Sequence, residues 1–299
     1  MSTLDDALGI AASHGLRLSA EGATVVEAGL DYRVIMAIDQ TGHRWVLRIP
    51  RRPDVSEGMV AEVRILDFVA PTLRAEKVAV PDWQIRTPEL IAYPALPGTP
   101  GLTLSDTGEP IWHMDPASPE YAARLGHLLA RLHSLNAADA KAAGVEVRSP
   151  DHVRQTWQDD INRVTNEFTV APTLANAWRA WIDDDICWPD RTVMTHGEIY
   201  PAHVLLDNGG AITGILDWTT ARVVDPARDF AFQYGAAGDE ILQATLDAYE
   251  QAGGHVHPGL AAQSRHLWDA SPLGYAIYAL TTGAEADRAT ATAMLNPKA

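Results

Sequence analysis

The alternation of apolar and polar positions changes texture about a third of the way along the chain. The runs ATVVEAGL, YRVIMAID and HRWVLRIP, between residues 23 and 50, are rich in β-branched residues and read as strands, with QTG as the turn between the last two. VSEGMVAEVRILDFVA then switches period: Met59, Val63, Leu66 and Ala70 recur at helical spacing with polar residues between them. Two short apolar runs, VAVPDWQI and PELIAYPAL, predict further strands, and the breaker-rich PGTPG closes the second. With a short helix at the N-terminus, this pattern predicts a small five-stranded antiparallel lobe carrying one main helix. That lobe spans residues 1–95, with a linker near 93–98.

From residue 99 to 299 the pattern is mostly helical. YAARLGHLLARLHSL sets Leu125, Leu128, Leu129, Leu132 and Leu135 on one stripe, and DHVRQTWQDDINRVTNEF and LANAWRAWIDDDI read as further helices. One β-island interrupts this half. VLL and AITGIL are short apolar runs joined by DNGG, a strong hairpin signal.

Composition narrows the class. Of 299 residues, 46% are apolar and 21% charged, an ordinary globular balance. The formal net charge of −16 repels nucleic acid and anionic membrane and favours a cationic partner. The single cysteine, Cys187, excludes an internal disulfide and fits a reducing compartment. Acids stand in the N-terminal stretch where a signal peptide needs bases, and no apolar run has membrane length. The expectation is a cytoplasmic monomer.

The β-island carries the candidate chemistry, in THGEIYPAHVLLDNGGAITGILDW from residue 195 to 218. A turn centred near Gly210 pairs positions whose numbers sum to about 420, so His203 faces Asp217 at the open end. Opposed β-carbons lie ~4.5–5.5 Å apart, close enough for one divalent ion to take both side chains. The tight loop THGEIYP delivers Glu198 beside that end, where a carboxylate suits a base or an orienter of a hydroxyl. His196 reads as a loop-bracing histidine and His133 as a satisfied structural one.

The stretch resembles the catalytic loop and metal segment of the aminoglycoside-phosphotransferase-like kinases, whose pattern is His-Gly-Asp, four residues, Asn, a hairpin and a metal-binding Asp. Two features resemble the macrolide 2′-phosphotransferases within that group: His203 in place of the Asn, and the run GILDWTTARVVDPARDF. WVLRIPRRPDV and IAYPALPGTPG are similar to that family as well, in the same chain order.

The resemblance implies an α+β, protein-kinase-like bilobal fold with a small antiparallel-sheet N-lobe and a larger, mostly helical C-lobe. It implies transfer of the γ-phosphate of GTP, with ATP as the alternative donor, to the 2′-hydroxyl of a macrolide amino sugar with Mg²⁺. His203 and Asp217 would hold the metal, and Glu198 would orient or deprotonate the hydroxyl in place of the usual Asp. Arg48 would contact phosphates and Glu62 would hold it, with Glu57 the weaker candidate for that pairing. Gly29 would let a covering loop approach the phosphates, and the strand through Ile91, Tyr93 and Leu96 would read the purine edge with its backbone. Asp225 and Asp229 would brace the loop and cap a helix. Trp268, Tyr275 and Tyr278 are candidates for an apolar acceptor pocket. The rival readings are a kinase of the same fold acting on an aminoglycoside or small metabolite, and a catalytically silent nucleotide- or macrolide-binding protein. Glu at position 198 keeps the second of these in play.

Overall fold

The computed structural model describes residues 4–27, 31–105 and 107–297, which fall into two compact units. The first comprises residues 1–115, 142–145 and 200–221, and the second comprises 116–141, 146–199 and 222–299. No helix among the described residues is long and apolar enough to cross a membrane.

The first unit opens with α1 (Leu4–Ser13), followed by β1 (Leu18–Val26), β2 (Tyr32–Asp39) and β3 (Arg44–Pro50). Then come α2 (Pro53–Ala75), β4 (Ile85–Thr87) and β5 (Leu90–Pro94). The strands form an antiparallel sheet in the order β1-β2-β3-β5-β4. Ala7 and Ala11 of α1 pack with Ile35, Leu47, Leu90 and Ala92 of the sheet in one apolar cluster. Three short strands follow: β6 (Thr99–Pro100), β7 (Leu102–Leu104) and β8 (Pro110–Trp112).

Two expectations are corrected here. VAVPDWQI forms a strand only at its end. Pro81 lacks an N–H, and Ala79 instead exchanges hydrogen bonds with Thr213 and Ile215, both at 2.9 Å. In α2, which starts with Pro53 in its first turn, the buried residues are Val55, Met59, Glu62, Ile65, Leu66, Val69 and Leu73, while Val63 and Ala70 are half-buried. Met59 and Leu66 are buried as expected, and the buried face also includes a carboxylate, Glu62, that hydrophobicity alone could not place.

The second unit contains α3 (Pro119–His133), the short α4 (Ala137–Ala142), α5 (Pro150–Glu167) and α6 (Pro172–Asp183). Ser118 caps α3 by accepting from the Tyr121 N–H. β9 (Val193–Thr195) comes next. The chain then returns to the first unit for β10 (Val204–Leu206) and β11 (Ile212–Ile215), which join β6 in a three-stranded sheet. β12 (Arg222–Val224) pairs antiparallel with β9, and a single 3-10 turn, Pro226–Asp229, follows. α7 (Ala231–Gln251), α8 (Leu260–Asp269), α9 (Ser271–Thr282) and α10 (Glu285–Leu295) complete it. Gly126 admits close packing of α3 on α7: a β-carbon there would lie 2.4 Å from the Thr245 carbonyl oxygen. α5, α6, α9 and α10 share a core of Ile161, Val164, Trp178, Leu273, Ala276 and Leu295.

Candidate active site

In the first unit the site is built around a buried cation. Arg48 is 5% exposed, and its Nη1 donates to Glu62 Oε1 at 2.8 Å. Its Nη2 lies 3.7 Å from Asp217 Oδ1. Burial opposes the charge, but the two carboxylates outweigh it and push the guanidinium pKa above its usual value. Glu57 is exposed and is not the residue paired with Arg48.

The hairpin places His203 and Asp217 together by a route that differs from the expected one. Val204 pairs with Ile215, and the Leu216 N–H donates to the His203 carbonyl, so His203 stands opposite Leu216 in the ladder. The register also shifts between Leu205 and Leu206. Asp217 has left the strand and sits in the left-handed region at φ 57°, which short polar side chains tolerate. That bend brings Asp217 Oδ2 to 3.7 Å from His203 Nε2. Thr219 holds the other oxygen, its hydroxyl donating to Asp217 Oδ1 at 2.7 Å. The side chains converge because the backbone breaks the ladder.

One imidazole and one carboxylate make an incomplete shell, and no group of three or more His, Cys, Asp or Glu among the described residues could hold an ion unaided.

The nucleotide-facing candidates are only partly placed. Gly29 lies outside the described residues. Ile91 pairs with Arg48 and Tyr93 with Val46, and the Ala95 N–H donates to the Arg44 carbonyl. In an antiparallel ladder alternate residues point their backbone groups the same way. Ile91 and Tyr93 therefore spend theirs on β3, as Ala95 does, which corrects the expectation that they read a ligand. Ala92 turns the other way and accepts from Gln84. By the same alternation the groups left facing away from β3 are the Pro94 carbonyl and the Leu96 N–H. Leu96 is half-buried, and its Cδ1 would lie 3.3 Å from a β-carbon added at Gly214.

In the second unit the loop carrying Glu198 is held through its backbone. Asp229 is buried and accepts from the His196 N–H at 2.9 Å and the Gly197 N–H at 2.6 Å. Its Oδ2 also meets His133 Nε2 at 3.0 Å, and His133 Nδ1 meets the Tyr249 hydroxyl at 3.0 Å. Burial raises the Asp229 pKa, but these hydrogen bonds and the nearby histidines more than reverse it, so the carboxyl sits below its usual range. Gly197 takes φ 88°, a conformation that favours glycine, and the Glu198 N–H donates to the buried His196 ring at 3.3 Å. Asp225 caps the 3-10 turn through the Ala227 N–H and accepts from Gln263, which in turn accepts from Trp181. Burial raises the Asp225 pKa to about 6.

The three aromatic pocket candidates do not form one group. Tyr275 and Tyr278 have ring centroids 5.7 Å apart, and Tyr275 packs on the α5–α10 core. Trp268 instead lies against Gly235, where a β-carbon would fall 2.2 Å from its ring, and meets Phe232 edge-on at 5.5 Å. Sequence reasoning also passed over two residues. Thr219, the partner of Asp217, left no clear signal. Tyr32 did leave one: it lies on the strand next to Arg48, two residues from the position paired with it.

Residues 22–263 match the phosphotransferase enzyme family. The macrolide 2′-phosphotransferase MphH from Brachybacterium faecium is 50% identical, with a TM-score of 0.90 over 99% of this chain and 98% of that one. A macrolide 2′-phosphotransferase type I is 39% identical, with a TM-score of 0.91 over 99% of both chains. The uncharacterized protein YcbJ of Bacillus subtilis (strain 168) is 39% identical over 285 residues, covering 94% of this chain and 92% of its own. The α+β fold is thus the kinase-like one, with an antiparallel-sheet unit and a mostly helical unit, and the chain belongs to the phosphotransferase enzyme family.

Proposed function

We propose that this phosphotransferase moves the γ-phosphate of GTP to the 2′-hydroxyl of the amino sugar of a macrolide, with Mg²⁺, and so confers antibiotic resistance. The observation that carries the reading is the 50% identity to a macrolide 2′-phosphotransferase over nearly the whole of both chains. The N-terminal lobe, residues 1–95, binds the nucleotide, and the remainder takes the acceptor. Arg48 binds phosphate oxygens. Asp217 and His203 hold the metal, which offsets phosphate charge. Glu198 orients the acceptor hydroxyl and receives its proton as the new phosphate ester forms. A protonated amino sugar suits the chain's net charge of −16.

Incubation with Mg²⁺ and either GTP or ATP, against a panel of macrolides, aminoglycosides and viomycin, tests the reading by mass spectrometry. The expected product is a macrolide heavier by one phosphoryl group, formed faster with GTP. Phosphorylation of an aminoglycoside or viomycin with no phosphorylated macrolide would overturn the acceptor, and a clear ATP preference would overturn the donor.

A further inference from the structure

We infer that Tyr32 is a positioning residue for the phosphate-binding cation, and that its ring is the reason an arginine serves at position 48. The inference rests on the reading of Arg48 as that cation. Register makes the contact. Val34 pairs with Arg48 across β2 and β3, so Tyr32, two residues before Val34, is the diagonal neighbour of Arg48. Such neighbours lie ~7–8 Å apart at the backbone, within reach of an aromatic ring and a long side chain. Arg48 Cζ stands 3.9 Å from the centroid of the Tyr32 ring, and the Trp83 ring lies on it at 6.0 Å. Tyr32 is only 5% exposed, so water competes little with the contact.

Three contacts do most to fix the guanidinium. Glu62 takes Nη1, Asp217 attracts Nη2, and the ring lies against the carbon between them. The two carboxylates determine where the charge sits. The Tyr32 ring face, nearer than that of Trp83, adds a contact that depends on the tilt of the guanidinium plane, and that tilt decides where its remaining N–H groups point. A lysine ammonium has no plane to stack and donates in three directions about one nitrogen.

A double-mutant cycle on the full chain tests this, read as the Kd of a non-hydrolysable GTP analogue with Mg²⁺ by calorimetry. Thermal melting of each variant verifies folding. Tyr32→Leu is expected to weaken binding roughly fivefold to tenfold, and Tyr32→Phe, which keeps the ring face, to restore most of it. In the Arg48→Lys background, where no plane remains to orient, Tyr32→Leu should change Kd less than twofold. Equal losses from Tyr32→Leu in both backgrounds would overturn the proposal, because a purely structural role is additive. So would a Tyr32→Phe protein as weak as Tyr32→Leu. If Arg48→Ala left Kd unchanged, the phosphate role of Arg48 would fall instead, which separates the two failures.

Discussion

The Arg48 cluster and the Glu198 loop are both buried polar constructions, yet they are held in opposite ways. Around Arg48 the guanidinium is held by side chains: Glu62 from α2, Asp217 from beyond β11, and the rings of Tyr32 from β2 and Trp83. Around Glu198 the anchoring contacts run through the backbone, with Asp229 accepting the N–H groups of His196 and Gly197. The first construction fixes the chemistry of each member, since a different charged group would not fit the same partners. The second fixes the path of the loop through its backbone. A glutamate for aspartate exchange is therefore expected to be tolerated at one site, and a lysine for arginine exchange to be costly at the other.

The largest expected effect comes from the side-chain-held site. Asp217→Ala removes a carboxylate that meets Arg48, His203 and Thr219. Turnover should fall by at least about a thousandfold, since metal bridging contributes several kcal/mol of charge stabilisation. Near-normal turnover in a protein with an unchanged melting curve would remove Asp217 from the metal site.

Asp229→Asn probes the backbone-held loop and should be less severe, at about a hundredfold in turnover, the cost expected of a displacement near 1 Å. It should also destabilise the fold by roughly 3–5 kcal/mol, because the His133 and backbone partners lose their acceptor charge. The sign of the pH dependence follows from the lowered pKa of Asp229. Its stabilisation is present above the ordinary carboxylate pKa of ~3.9 and is lost as pH falls through the lowered value. Denaturant midpoints of the two proteins should therefore converge in strong acid and separate towards neutrality. A gap independent of pH would mean that the carboxylate charge is not what holds the loop.

The two regions were also unequally legible in the sequence. The Arg48–Glu62 pair was legible through the resemblance to the phosphotransferases, which implied a phosphate-contacting cation on that strand and an acid on the next helix to hold it. The bracing of the loop by Asp229 was implied by the same resemblance, and the satisfied state of His133 could be read from its place on a leucine-rich stripe. The geometry of Asp217 could not. Pairing arithmetic assumes an unbroken ladder, whereas Asp217 adopts φ 57° one residue past it. The strand directions at Ile91 and Tyr93 were likewise hidden, since alternation fixes which backbone groups are occupied only once the partner strand is known. Tyr32 was visible as a strand residue, but its contact with Arg48 needs the register of β2 against β3.

We propose that a loop held by its backbone lets a glutamate do the work of an aspartate at position 198. The extra methylene adds about 1.5 Å of reach and one rotatable bond, while the carboxylate pKa hardly differs, at ~4.3 against ~3.9. Single-turnover transfer from radiolabelled GTP to a macrolide, measured for the unmodified protein, Glu198→Gln and Glu198→Asp, tests this directly. The account predicts transfer by the unmodified protein, loss of most of it in the Gln form with nucleotide and macrolide binding retained, and measurable transfer in the Asp form. No transfer by the unmodified protein to any acceptor, together with transfer by the Asp form, would contradict it and mark position 198 as the point at which a kinase was silenced.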